Sequence, residues 1–203
     1  MNLATKLTVA RVIAIPVFML AFMWQPPSSS LVEDWGKIAA AIIFILAAIT
    51  DYYDGYLARR YNMITTFGKF IDPIADKLLV SAALIVMVAY KEITYTSAWI
   101  VVIIIAREFS VTGLRLICAE QGNVIAASPA GKFKTVTQLV AIITALIFIS
   151  VRVILETKNL TEYSNQFNAY YGYIIQVLMI IAAIATIYSG YDYFRKNKLF
   201  LEK

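Results

Sequence analysis

The chain has 203 residues, of which 61% are apolar and only 15% charged, where about 45–50% and about 25% are usual. That much apolar surface cannot be hidden in a core this small, so a water-soluble globule is excluded and an integral membrane protein is expected, with lipid and not nucleic acid as its surroundings. The net charge is +5, histidine is absent and Cys118 is the single cysteine, which rules out an internal disulfide, a cysteine-built zinc site and imidazole-based acid–base chemistry.

Six apolar segments follow in chain order: Thr8–Trp24, Gly36–Tyr56, Ile71–Tyr90, Thr96–Leu116, Lys132–Arg152 and Tyr170–Phe194. Each is about 17–25 residues, the length a helix needs to cross about 30 Å of hydrocarbon. Barrel strands would be about half as long and would alternate, so the expected fold is all-α with six transmembrane helices in one domain, 1–203. Between the segments lie Pro26-Pro27-Ser28-Ser29-Ser30, Lys91-Glu92, Ser128-Pro129-Ala130-Gly131 and the polar run Glu156–Asn168. At the first segment Lys6 and Arg11 stand before the apolar run, as they would in a signal peptide. Gln25-Pro26-Pro27 offers no small-residue cleavage site, however, and a retained span is expected. With six crossings, 14 of the 18 basic residues fall on the side of the termini and four (Lys37, Lys91, Arg152, Lys158) on the other, which predicts cytoplasmic termini. Trp24, Trp35 and Trp99 lie near span ends, as interfacial anchors do.

The chemistry-bearing residues cluster at the inner ends of the second and third segments. They are Asp51, Asp54, Gly55, Ala58 and Arg59, then, after eight further residues, Gly68, Asp72 and Asp76. On helices, Asp51 and Asp54 are i, i+3 neighbours and Asp72 and Asp76 are i, i+4 neighbours, so each pair shares a face. At about 1.5 Å per residue, Asp51 and Asp76 lie roughly 21–22 Å from the outer ends of their segments, and Asp54 and Asp72 roughly 27 Å. Two matched carboxylate layers just inside the cytoplasmic boundary need cations to neutralise them. An all-carboxylate donor set suits hard divalent ions, Mg²⁺ or Mn²⁺. Two such ions form the arrangement that clamps a phosphate during in-line displacement.

The pattern D-x2-D-G-x2-A-R-x8-G-x3-D-x3-D resembles the signature of the CDP-alcohol phosphotransferase family, with all eight fixed positions present. The resemblance covers the whole chain, since that family has six transmembrane helices with this motif across the second and third. It implies displacement of CMP from a CDP-linked lipid by an alcohol, assisted by two divalent cations, in a homodimer. By position it makes Asp51, Asp54 and Asp72 metal ligands and Asp76 both a ligand and the general base for the acceptor hydroxyl. Gly55 and Gly68 would let the nucleotide approach the backbone and Arg59 would meet the diphosphate, with Thr8 and Ala58 completing the CDP-lipid-binding set.

A second, basic cluster bears on the acceptor. Arg107 lies inside the fourth segment, where a guanidinium is costly, and Arg115, Lys132 and Lys134 gather at the cytoplasmic edge. Arginine forks suit phosphate, so these four are the candidate acceptor-phosphate site. The blocks A-R-E-x5-L-R (Ala106–Arg115) and G-K-x-K-T (Gly131–Thr135), with the opening Leu7-Thr8-x2-Arg11-x4-Pro16, resemble the branch of the family that uses glycerol 3-phosphate; Ala4 stands where that branch often has proline. The expected substrates are therefore CDP-diacylglycerol and glycerol 3-phosphate, met at a site facing the cytoplasm from the cell membrane. Inositol phosphate, serine or phosphatidylglycerol are the runner-up acceptors. A divalent-cation transporter is the competing class, but the acids cluster at one end and no internal repeat is visible, unlike transporter sites at the midplane between repeats.

Overall fold

The computed structural model describes the backbone of residues 3–24, 35–60, 66–93, 98–120, 128–158 and 160–197, and within these every side chain except those of 3–7, 51–60, 66–73, 120, 161–166 and 169. The described residues form six α-helices and no strand: α1 Leu3–Met23, α2 Trp35–Arg60, α3 Thr66–Ala89, α4 Ala98–Glu120, α5 Pro129–Thr157 and α6 Thr161–Lys196. Each apolar segment becomes one helix, and most helices run on past the apolar stretch. Among the described residues, Pro129–Thr157 and Tyr170–Lys196 are long and apolar enough to cross a membrane.

Two expected breaks prove partly helical. Ser128 caps α5: its Oγ accepts from the Gly131 N–H at 3.1 Å and its carbonyl accepts from the Lys132 N–H at 3.1 Å. With Pro129 at the first helical position, this is the favoured start of a helix, so Lys132 and Lys134 stand in its opening turns. Of the polar run 156–168, α5 extends to Thr157 and α6 already begins at Thr161.

The chain divides into two compact units, residues 1–92 with 143–171, and residues 93–142 with 172–203. In the first, α1 packs on α2 and α3. Phe18, Phe22 and Phe44 are fully buried, the Phe18 ring centroid lying 6.0 Å from that of Phe22 and 5.9 Å from that of Phe44, and Tyr90 meets Phe22 edge-on at 6.1 Å. Gly36 is required here, because a Cβ at this position would collide with the Ala21 carbonyl of α1.

The end of α3 organises the rest of that unit. The Glu92 N–H bonds the Met87 carbonyl at 2.9 Å and the Lys91 N–H the Val88 carbonyl at 3.1 Å, with Lys91 at φ 56°. This is the doubly bonded helix end that normally places glycine in the left-handed position. It turns the Glu92 carboxylate inward, where it pairs with Lys37 of α2 at 2.7 Å and Arg152 of α5 at 2.6 Å. The Tyr171 hydroxyl donates to the Glu92 carbonyl at 2.8 Å, and Phe148 stacks between Phe167 and Tyr171 at 5.2 and 5.4 Å.

In the second unit, Val111, Leu114, Cys118 and Tyr193 form a buried cluster. Ala182, Ala183 and Ala185 are also buried, as small residues at close helix contacts are. Leu20, Ile42, Leu46, Trp99 and Ile184 are among many large apolar side chains that face outward, a surface suited to lipid and not to water.

Candidate active site

The acidic motif lies on uninterrupted helix. α2 continues to Arg60 and α3 begins at Thr66, so the i, i+3 and i, i+4 spacings of the two aspartate pairs are helical spacings and each pair shares a face. The side chains of Asp51, Asp54, Gly55, Ala58, Arg59, Gly68 and Asp72 lie outside the described residues. Asp76 is described, and its side chain is exposed between the buried Ala75 and Leu79. Among the described residues no three acidic or cysteine side chains gather as a metal site. The donor chemistry nevertheless fits Mg²⁺ or Mn²⁺: four carboxylates on two helices, in a chain without histidine, are all hard oxygen donors.

Thr8 and Arg11 are buried on α1, at i, i+3. Arg11 lines a cavity of about 250 Å³ with Ala10, Ala14, Ile43, Leu46, Ala47 and Thr50, and Thr50 immediately precedes Asp51.

The basic residues fall into two kinds. Arg115 and Lys132 are exposed. Arg107 and Lys134 are held inward in the second unit, with Glu108 as the acid between them. Lys134, 1% exposed, pairs with the Glu108 carboxylate, and Arg107 Nη1 lies 3.8 Å from that carboxylate. Arg107 Nη2 also donates to Ser189 Oγ of α6 at 2.6 Å. A Cβ on Gly190 would stand 3.2 Å from Arg107 Cγ, so the bare backbone of α6 makes room for the arginine stem.

Sequence reasoning assigned no role to Glu108, Ser189, Gln138 or Arg11. Glu108 carried a signal, an acid beside an arginine inside an apolar span. Gln138, buried one turn beyond Lys134, carried the same kind of signal, a polar group at a costly depth. Ser189 carried none, since serine is ordinary in membrane helices.

Residues 1–189 match the family described as CDP-alcohol phosphatidyltransferase. A Bacillus subtilis protein named CDP-diacylglycerol–glycerol-3-phosphate 3-phosphatidyltransferase is 40% identical, over 97% of this chain and 95% of its own length. A Rickettsia bellii protein of the same name is 37% identical, over 97% and 96%. An Escherichia coli K12 protein, again so named, is 43% identical over 70% of this chain and 74% of its own.

Proposed function

This chain belongs to the CDP-alcohol phosphatidyltransferase family, and from that premise we propose that it transfers the phosphatidyl group of CDP-diacylglycerol to glycerol 3-phosphate, releasing CMP. The observation that carries this reading is the complete eight-position acidic pattern on two unbroken helices, in a chain whose relatives are named for this reaction.

The residues take the following parts. Asp51, Asp54, Asp72 and Asp76 hold two divalent cations, Mg²⁺ or Mn²⁺, which when bound supply positive charge at the diphosphate. Arg59 meets the diphosphate, and Thr8, Gly55, Ala58 and Gly68 hold the CDP-lipid. The acceptor oxygen bonds to the phosphorus that carries diacylglycerol, and the bond from that phosphorus to the oxygen of CMP breaks. The electron pair leaves with CMP, and the hydroxyl proton passes to the Asp76 carboxylate, whose exposure supports this part. Arg107, Arg115, Lys132 and Lys134 hold the acceptor phosphate. The convergence of Arg107 and Lys134 on the Glu108 carboxylate supports that assignment. A CDP-lipid has its charged end in water and its acyl chains in lipid, and a site at the cytoplasmic boundary of a single domain, 1–203, keeps both in their own solvent.

Purified protein given CDP-diacylglycerol, Mg²⁺ and a panel of acceptors should yield phosphatidylglycerophosphate from glycerol 3-phosphate and very little lipid product from glycerol. Replacing Arg115 or Lys132 with a neutral residue removes a charge-assisted contact worth roughly 1.5–3 kcal/mol. That should lower kcat/KM for glycerol 3-phosphate by about 10- to 150-fold, with much less change in KM for CDP-diacylglycerol. Equal weakening toward both substrates would remove these residues from the acceptor site.

The same reading places six spans in the cell membrane, with both termini and the site cytoplasmic, in a homodimer. The 14-to-4 distribution of basic residues supports the orientation. In a Cys118→Ser background, Ser29→Cys should react with an impermeant thiol reagent on intact cells, and Asn197→Cys only after permeabilisation. The opposite pattern overturns the topology.

A further inference from the structure

Gln138 stands one turn beyond Lys134 on α5, and the i, i+4 spacing puts the two on one face. Its side chain is 3% exposed, and among the described residues neither Nε2 nor Oε1 has a hydrogen-bond partner. A buried amide with both ends unmet is costly, above all where water is excluded. Packing alone would be served by leucine or methionine at that position, without the cost.

The chemistry of the amide and of its neighbours narrows what it can meet. An anion would satisfy only the Nε2 donor and a cation only the Oε1 acceptor. A pair of adjacent hydroxyls satisfies both, one accepting from Nε2 while its neighbour donates to Oε1. In the same unit Arg107 and Lys134 converge on Glu108, and among the described residues Arg107 Nε also lacks a hydrogen-bond partner. A ligand matching all of these groups carries an anionic end and a vicinal diol: a phosphorylated polyol. We infer that Gln138 is an acceptor-binding residue that reads the diol of glycerol 3-phosphate through both ends of its amide. The inference rests on the transfer reaction proposed above and adds to it the group that distinguishes a diol from a simple alcohol.

The test compares glycerol 3-phosphate with 3-hydroxypropyl phosphate, which keeps the phosphate and a primary hydroxyl but lacks the 2-hydroxyl. The wild-type protein should prefer glycerol 3-phosphate by about 10- to 100-fold in kcat/KM, the value of a hydrogen-bonded pair whose loss strands a buried group. Gln138→Leu and Gln138→Met should lose about that factor on glycerol 3-phosphate and less than about threefold on the analogue, so that the preference collapses. Equal losses on both acceptors, or an undiminished preference in either variant, overturn the inference and leave Gln138 as a structural or water-bound group. Should the leucine variant not fold, the wild-type ratio and the methionine variant decide: a wild type that uses both acceptors equally also overturns it. A wild type that uses neither acceptor refutes the reaction itself, which separates the two failures.

Discussion

Asparagine at Asp51 or Asp72 is expected to abolish turnover while leaving a folded, extractable protein. The two aspartate pairs sit on continuous helix, and in the proposed reaction all four carboxylates hold the divalent cations that neutralise the diphosphate. Losing that charge is expected to slow transfer by more than about a thousandfold, or roughly 4 kcal/mol at 1.36 kcal/mol per tenfold. Folding should not suffer, because each substitution removes one of several like charges held close together. Initial rates of CMP release with Mg²⁺, paired with size-exclusion profiles in detergent, measure both halves of the expectation. The unaltered protein should fall to the same floor in excess EDTA and recover with added Mg²⁺ or Mn²⁺. Substantial turnover in EDTA, or in either asparagine variant, would refute the metal-assisted reading.

The largest effect on stability is expected at Glu92. Its carboxylate, 4% exposed, pairs with Lys37 and Arg152, and removing one member of a buried ionic group costs about 3–5 kcal/mol. Against a total stability of about 5–15 kcal/mol, Glu92→Ala should lower Tm by roughly 10 °C, at about 2–4 °C per kcal/mol for a chain of this size. Glu92→Gln keeps a hydrogen-bonding group for Arg152 and should lose less. Glu156→Ala is the control: this residue is 45% exposed and lies 3.7 Å from Arg152, a pair worth about 0–1 kcal/mol. Thermal unfolding in detergent compares the three. A Glu92→Ala loss no larger than that of Glu156→Ala would mean that water, and not protein, surrounds the Glu92 carboxylate.

The positions of all six helices were legible from hydropathy, because each long apolar run became one helix. Their ends were less so. Hydropathy marks only the apolar stretch, whereas Ser128 and Pro129 start α5 by capping chemistry and α6 begins at the polar Thr161. The helical placement of the acidic positions was legible, since they lie on α2 and α3 at the spacing of one face. The charge partners were not. Lys91-Glu92 reads as an exposed turn, yet the left-handed Lys91 turns Glu92 inward to meet residues from α2 and α5. Nor does the spacing between Glu108 and Lys134 announce their pairing, because it depends on which faces of α4 and α5 meet.

Glu92 also sits at the edge of an interruption in its unit, which resumes only at residue 143. Its two partners are therefore delivered at different moments of synthesis. Lys37 precedes it on the growing chain, whereas Arg152 follows 60 residues later. At about 5–20 residues per second, that separation is roughly 3–12 s of elongation. Throughout that interval Lys37 is the counterion at hand, and the α2–α3 hairpin it closes can assemble before the fifth helix exists. Arg152 then acts as a latch on a fragment already in place, so a chain cut anywhere between residues 93 and 142 keeps the hairpin pairing and forfeits the latch.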